Sequence, residues 1–311
     1  MKIVLPEYID ILPKKCIEEV KRLGDVTVYK DFPKTEEEII RRIKEAELIG
    51  IKWLILTDNI IKNAPNLKYI ITLSSGYNQL PLKAAKNLGI KLINCPTHNT
   101  TAVAEHALAL MLGLVRRIVE AQISMRKGRW KSSPYSYLGT ELAGKKLLII
   151  GYGRIGRQIA KRSKGLEMKV KFANSKTSPK DLDNLIKNSD IISLNLLLTK
   201  KTYHLIDERR IKLMRESTYL VNTSRGEIVD QKALLQALKT KRIAGAALDV
   251  FEEEPKTEKI SEEIVELASL PNVIATPHIA YNTKEAALRL GNEFVENVKA
   301  CINGKSVNVV D

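Results

Sequence analysis

Lys145-Lys146-Leu147-Leu148-Ile149-Ile150-Gly151-Tyr152-Gly153-Arg154-Ile155-Gly156 lies near the middle of this chain of 311 residues, and its reading decides the fold. A short apolar run leads into Gly-x-Gly-x-x-Gly, and the helix-prone stretch 157–164 follows. That strand-turn-helix context is what gives the glycine motif meaning as a dinucleotide fingerprint. Gly151 permits the tight turn, Gly153 lets the backbone approach a pyrophosphate, and Gly156 lets the helix pack closely on its strand. The phosphates then face a helix N-terminus, where unpaired amides and the helix dipole favour negative charge. The next strand, 169–173, ends in Asn174-Ser175-Lys176, where a dinucleotide that carries a free ribose would be met by an acid.

Working outward, residues 2–5, 26–29, 48–56, 67–73 and 90–94 read as short strands, with helical stretches at 14–23, 36–46 and 81–87 between them. Such alternation predicts a parallel α/β unit. A long apolar helix is expected over 101–119, long enough to bridge two domains. From 145 a second alternation runs, with strands at 145–150, 169–173, 190–194, 218–222, 244–249 and 273–276; six is the number that a dinucleotide-binding sheet needs. A last helix is expected over 284–303, returning to pack on the first domain.

Bulk properties narrow the function. A hydrophobic content of 44% with 28% charged residues is ordinary for a globular protein. No window approaches the ~18 uninterrupted apolar residues of a membrane span, and Met1-Lys2-Ile3-Val4-Leu5-Pro6 reads as a strand rather than a signal peptide, so no membrane partner and a cytoplasmic location are expected. The net charge of +15 raises the question of nucleic acid. Its basic residues come as scattered pairs, such as Arg41-Arg42 and Arg209-Arg210, read as solvated helix faces. Aromatic residues at 5% supply little to stack bases, and no nucleic-acid partner is expected. Cys16, Cys95 and Cys301 are too far apart for a metal or disulfide framework and read as buried small hydrophobes; no metal is expected.

Three later segments place polar residues just past predicted strands, the edge of a parallel sheet where ligands bind. They are Val221-Asn222-Thr223-Ser224-Arg225-Gly226, Leu248-Asp249-Val250-Phe251-Glu252-Glu253-Glu254-Pro255 and Thr276-Pro277-His278-Ile279-Ala280. An arginine, a glutamate and a histidine converging there make a cation for an anionic substrate and an imidazole with a carboxylate to orient it. With Ser74-Ser75-Gly76-Tyr77-Asn78 and Ala102-Val103-Ala104-Glu105-His106, these segments resemble, in order, the D-isomer-specific 2-hydroxyacid dehydrogenases. The resemblance covers nearly the whole chain.

It implies an α/β fold of two Rossmann-like, doubly wound domains around a cleft. The flavodoxin-like substrate-binding domain would be discontinuous, 1–98 with 280–311, the dinucleotide-binding domain 99–279, and the assembly a homodimer. The implied activity is hydride transfer between NADP(H) or NAD(H) and a small 2-oxo or 2-hydroxy acid. His278 would be the proton donor and Glu254 the acceptor on its other ring nitrogen. Arg225 would grip the substrate's carboxylate and carbonyl oxygens, and the amides of Ser75 and Gly76 would hold the carboxylate. Cofactor contacts fall on Gly151, Gly153, Arg154, Ile155, Gly156, Asn174, Ser175, Lys176, Leu196, Thr202, Thr223, Asp249 and His278. Of these, Asp249 would fix the nicotinamide carboxamide and Thr223 would lie near the ring. His106, on an apolar helix, reads as packed or as capping interdomain contacts, and His98 and His204, near predicted cleft loops, are assigned no chemistry.

Departures from the pattern are informative. Asn174-Ser175-Lys176 lacks the acid and offers donors and a cation, which resembles the NADP-using glyoxylate and hydroxypyruvate reductases and predicts a preference for NADP(H). The usual proline is missing from Asn195-Leu196-Leu197-Leu198-Thr199. Residues 256–267 insert a charged helical stretch between Glu254 and His278, and Tyr281 either lines the substrate pocket or packs. Alternatives within the class are 3-phosphoglycerate and D-lactate dehydrogenases; outside it stands a dinucleotide-sensing, corepressor-like binding protein.

Overall fold

The computed structural model describes residues 1–78, 80–133, 135–255, 259–305 and 307–310. The chain divides into two compact units, Met1–Asn99 with Asn282–Asp311, and Thr100–Tyr281. The boundaries thus fall after Asn99 and Tyr281 instead of after 98 and 279.

The first unit carries a parallel sheet of β1 (Lys2–Leu5), β2 (Asp25–Val28), β3 (Leu48–Ile51), β4 (Tyr69–Thr72) and β5 (Lys91–Ile93), in the order β2-β1-β3-β4-β5. Helices α1 (Lys14–Lys21), α2 (Glu36–Ile43), α3 (Asp58–Lys62) and α4 (Leu82–Asn87) connect the strands. The threonine hydroxyls of Thr35 and Thr57 cap α2 and α3 by accepting from Glu38 and Ile60 amides. The strand expected to reach residue 56 ends at Ile51. The carboxylate of Glu7 accepts from the amides of Lys52, Trp53 and Leu54, taking donors that a continuing ladder would need.

Helix α12 (Lys284–Ile302), N-capped by Thr283, belongs to this unit although the second unit intervenes in sequence. Its Leu290, Phe294, Val295, Val298 and Cys301 pack with Ile3, Leu5, Leu48 and Ile71. Gly50 makes that possible: a Cβ there would stand 2.6 Å from Leu5 Cδ2 and 2.9 Å from Phe294 Cζ. The buried Phe294 side chain contributes roughly 2–3 kcal/mol.

In the second unit β6 (Lys146–Ile150), β7 (Lys169–Ala173), β8 (Ile191–Leu194), β9 (Tyr219–Asn222), β10 (Gly245–Leu248) and β11 (Val273–Ala275) form a parallel sheet in the order β11-β10-β9-β8-β6-β7. Both faces are covered, since Leu148 and Ile150 of β6 enter one core cluster and Leu147 and Ile149 another. Connecting helices are α7 (Arg154–Gly165), α8 (Pro179–Lys187), α9 (Glu208–Leu213), α10 (Gln231–Lys239) and α11 (Glu262–Ser269). Helix α11 accounts for part of the expected stretch 256–267, of which 256–258 lie outside the described residues.

The single helix expected over 101–119 is two, α5 (Thr100–Val115) and α6 (Ile118–Arg126). Arg117 is left-handed at φ +54°, and the Val115 carbonyl accepts from the Thr140 amide, so a returning loop caps α5. The basic pairs also differ from the expectation of solvated faces. Arg42 is buried, donating to Asp31, Glu38 and the Pro6 carbonyl, while its neighbour Arg41 is exposed. The three cysteines are buried and free. Among the described residues no helix is long and apolar enough to cross a membrane.

Candidate active site

The turn after β6 shows why each motif glycine is a glycine. Gly151 has φ +95°, and a Cβ on it would stand 2.1 Å from the Asn195 carbonyl oxygen. A Cβ on Gly156 would stand 2.2 Å from the Gly151 carbonyl, so its absence seats α7 against the strand. Gly153 is different, because a Cβ there would meet nothing within 4 Å. It is the N-cap of α7 and brings no side chain to that helix end, leaving the first amides, from Arg154 and Ile155 onward, in front of open space. Open space before unpaired helix amides suits the approach of a pyrophosphate. Two buried polar atoms nearby in sequence to the strand ends, Asn195 Oδ1 and Thr223 Oγ1, have no hydrogen-bond partner among the described residues. Buried polar groups are ordinarily paired, so these orphans also fit a polar ligand.

Past β7, Asn174 forms a turn instead of presenting an acid. Its Oδ1 accepts from the Lys176 amide at 2.9 Å, and its own amide donates to Thr177 Oγ1 at 3.0 Å. Asn174, Ser175 and Lys176 are all exposed. Their remaining polar groups are the carboxamide nitrogen, a hydroxyl and an ammonium. After β8, Leu196 is partly buried against the core. The segment without the usual proline is closed by Thr202, whose hydroxyl donates to the Leu197 carbonyl at 2.6 Å and accepts from the Thr199 amide at 2.8 Å.

Arg225 follows β9 in a loop organised by the buried Asn222. The Asn222 carboxamide accepts from the Ser224 amide and hydroxyl and donates to the Arg225 carbonyl at 2.8 Å. A Cβ on Gly226 would stand 1.8 Å from the Phe251 carbonyl carbon, so the loops after β9 and β10 touch backbone to backbone. That contact brings the loop of Arg225 against the one that leads to Glu254. Burial lowers the basicity of the Arg225 guanidinium, opposed by the charges of Glu254 and Glu227. One guanidinium nitrogen, Nη1, donates to the Ser224 carbonyl at 2.6 Å.

His278 Nδ1 lies 2.7 Å from Glu254 Oε2, 24 residues earlier. With Nδ1 bonded to the carboxylate, Nε2 makes no hydrogen bond to any described residue, and the ring sits edge-on to Tyr281 at 6.0 Å. The left-handed His278 backbone, φ +51°, is held by its amide, which donates to the carbonyls of Asp249 and Thr276. A second pair steadies the glutamate segment, since His204 Nε2 lies 2.8 Å from Glu252 Oε1 and Tyr203 stacks on His204.

Asp249 is fully buried, and the structure gives its carboxylate work that sequence reasoning missed. Oδ1 accepts from Thr276 Oγ1 at 2.5 Å and the Ile279 amide at 2.9 Å, and Oδ2 from the Ala280 amide at 2.8 Å. His106 Nε2 lies 3.4 Å from Oδ1 and 3.1 Å from Thr276 Oγ1. Burial alone would raise the Asp249 carboxyl, but the bonds from His106, Thr276 and the two amides outweigh it and hold it below its ordinary value. Asp249 thus clamps the turn that carries His278 on both sides. The spacing of His106 on an apolar helix gave no sign of this; the only hint was a histidine where packing asks for an aliphatic residue.

In the first unit, Ser75 and Gly76 follow β4. Ser75 is tied through its carbonyl to Asn94 Nδ2 at 2.9 Å and through its hydroxyl to Asn99 Nδ2 at 3.1 Å, and the Gly76 carbonyl accepts from Ser74 Oγ. The Ser75 and Gly76 amides donate to no described residue, so the loop offers two adjacent donors to an anion. His98 is buried with Nδ1 2.8 Å from the Cys95 carbonyl, and burial pulls its pKa down to about 4.

A model of the D-isomer specific 2-hydroxyacid dehydrogenase NAD binding domain matches residues 108–280. A glyoxylate reductase of Thermococcus litoralis is 38% identical over 312 residues, 94% of this chain and 92% of its own. A hydroxypyruvate reductase of Thermotoga maritima is 37% identical over 272 residues, 85% and 87% of the two chains. Among solved structures, an acyclic imino acid reductase in complex with NADPH and D-Arg superposes with a TM-score of 0.91 at 33% identity, covering all of both chains. Both units are Rossmann-like, as in those neighbours.

Proposed function

The chain belongs to the D-isomer specific 2-hydroxyacid dehydrogenases, oxidoreductases that use a nicotinamide dinucleotide, and from that premise we propose that it reduces glyoxylate or hydroxypyruvate with NADPH preferred over NADH. The observation that carries the reading is the 2.7 Å pair of His278 Nδ1 and Glu254 Oε2 on the loops beside Arg225. The nicotinamide, when bound, supplies the hydride. His278 gives the proton on Nε2 to the carbonyl oxygen in reduction and takes it back in oxidation, while Glu254 holds the Nδ1 proton and fixes the ring. Arg225 binds the 2-oxo acid through its planar fork, which a lysine would not reproduce. The Ser75 and Gly76 amides hold the carboxylate.

The residues that would hold the dinucleotide are Gly151, Gly153, Arg154, Ile155 and Gly156 at the pyrophosphate, with Leu196, Thr202 and Thr223 along the strand ends. Asn174, Ser175 and Lys176 support NADPH, because a turn with an ammonium and no acid accepts a 2'-phosphate without repulsion. Asp249, whose oxygens already hold the His278 turn, reaches the carboxamide only by sharing those acceptors. Exposed apolar side chains at Ile118, Ile123, Met125, Trp130 and Leu138 support a homodimer, to be tested by light scattering. A cytoplasmic location completes the reading.

The test is a panel of glyoxylate, hydroxypyruvate, pyruvate and a bulkier 2-oxo acid with each cofactor. Highest kcat/KM for the first two with NADPH is expected; an equal or faster subsaturating rate with NADH refutes the cofactor preference. Binding of cofactor without reduction of any 2-oxo acid would favour a sensor of the corepressor kind.

A further inference from the structure

Helix α5 lies over the sheet of the second unit, where its Ala107, Met111 and Leu114 share a core with Val221 of β9, Ala247 of β10 and Ile274 of β11. His106 precedes that apolar run. Side chains lean toward a helix's N-terminus, and this one reaches the loops that follow two of the strands. Its Nε2 lies 3.1 Å from Thr276 Oγ1, just past β11, and 3.4 Å from Asp249 Oδ1, just past β10. Burial works against the Asp249 charge, and the His106 bond is the first among those that hold its carboxyl below the ordinary value. Thr276 then fixes the direction of every bond. Its hydroxyl has one proton, and at 2.5 Å from the carboxylate it gives that proton to Asp249 Oδ1. Only lone pairs remain on both oxygens that face the imidazole, so His106 carries a proton on Nε2 and donates it. Asp249 in turn accepts the Ile279 amide on Oδ1, the Ala280 amide on Oδ2 and the His278 amide on its carbonyl. A row of bonds thus runs from α5 to His278 and the two residues after it.

Resting on the proposed reduction of a 2-oxo acid, we infer that His106 is a positioning residue for that reaction: its Nε2 proton, donated to Thr276 and Asp249, fixes the turn that carries His278. Asp249 is fully buried, and a bond to an ionised group is about twice as strong as a neutral one. Removing the His106 donor leaves buried acceptors short of a partner, and the carboxylate finds a new one only by giving up an amide of the His278 turn. His106 itself touches neither substrate nor the reacting atoms in this scheme. It acts on turnover through the backbone of the proton donor.

The test compares wild type with His106→Phe, which keeps a ring and removes the donor, and with His106→Gln, which returns an N–H near the place of Nε2. With glyoxylate and saturating NADPH, kcat is expected to fall at least tenfold in His106→Phe with KM within threefold, and to recover to within threefold of wild type in His106→Gln. Thr276→Val should show a similar loss, and the double variant with His106→Phe no more than the larger single loss, because both cut the same row of bonds. A kcat within twofold of wild type in His106→Phe overturns the inference. So does a His106→Gln variant as slow as His106→Phe, or losses that multiply in the double variant, since each makes His106 a fastening of α5 and nothing more. Hydrogen exchange reads the same bonds without turnover: the Ile279 and Ala280 amides should exchange at least tenfold faster in His106→Phe, and unchanged exchange overturns the inference. A wild type that reduces no 2-oxo acid overturns the proposed function, and exchange at these two amides still decides whether His106 holds the turn.

Discussion

Gly153→Ala separates the binding of a cofactor from the stability of the fold. The new methyl meets nothing within 4 Å, and the backbone at φ −81°, ψ −158° is one that alanine adopts without strain. Replacing a glycine at a permissive position restricts the unfolded chain and stabilises by ~0.4–1 kcal/mol. The variant should therefore melt at or slightly above the wild-type temperature. The same methyl projects into the open space at the N-terminus of α7, where the proposed reading puts the pyrophosphate. Loss of even one well-made contact there is expected to weaken NADPH at least tenfold, about 1.4 kcal/mol.

Gly156→Ala provides the contrast. Its methyl would stand 2.2 Å from a backbone oxygen that cannot swing away, so helix and strand must separate, at a cost of ~1–3 kcal/mol. The gain in helix propensity, ~1 kcal/mol, offsets part of it. Thermal melts give the stability of both variants, and titration calorimetry or quenching of tryptophan fluorescence gives their affinity for NADPH. A Gly153→Ala protein that folds normally and binds NADPH within twofold of wild type shows that the open space is not the phosphate cradle. A Gly153→Ala protein that is strongly destabilised shows that the space is not open.

Glu254→Gln keeps the size of the side chain and removes the charge that faces His278 Nδ1, so kcat should fall by ~10²-fold or more while NADPH affinity holds; stopped-flow reduction with a pre-bound cofactor measures it. Asn174→Asp combined with Lys176→Ala places an acid in the turn and removes its cation, and the ratio of kcat/KM for NADPH over NADH should drop by ~10-fold or more in initial rates. His98 makes the first unit sensitive to acid. Its folded pKa, about 4, lies below the unfolded value near 6.5, so the unfolded chain binds the extra proton and stability falls as pH drops through that window. From pH 7 to pH 5 the loss is roughly 2 kcal/mol. Urea titrations should show a shallower pH dependence in His98→Gln, and parallel slopes would refute the assignment.

What could be read from sequence was what neighbouring residues impose on one another. Both alternations of strand and helix, the glycine turn and the α12 helix follow from local periodicity and appear within a few residues of their expected limits. The misread ends have distant causes. Strand β3 looks continuous through Leu56, and it stops at Ile51 because a carboxylate 45 residues upstream takes the Lys52 amide. Helix α5 looks continuous through Val119, and it stops at Val115 because the Thr140 amide returns to its last carbonyl. Neither acceptor nor donor leaves a mark in the stretch that it terminates.

The candidate site was legible in a different way. Arg225, Glu254 and His278 were recognisable as a resembling set, yet nothing in the three segments says how they are brought together. The structure supplies two long-range links. Gly226 lets the Arg225 loop lie against Phe251, three residues before Glu254, and Asp249 reaches from the end of β10 to both sides of His278. Both links start from the same short segment after β10, so His278, its carboxylate partner Glu254 and the arginine loop are referenced to one strand end. A buried carboxylate bonded by Thr276, the Ile279 and Ala280 amides and His106 is costly to move, because any shift leaves a donor or a charge unpaired in a place that water does not reach. That is why His278 can hold a left-handed backbone, with Nε2 bonded to no described residue.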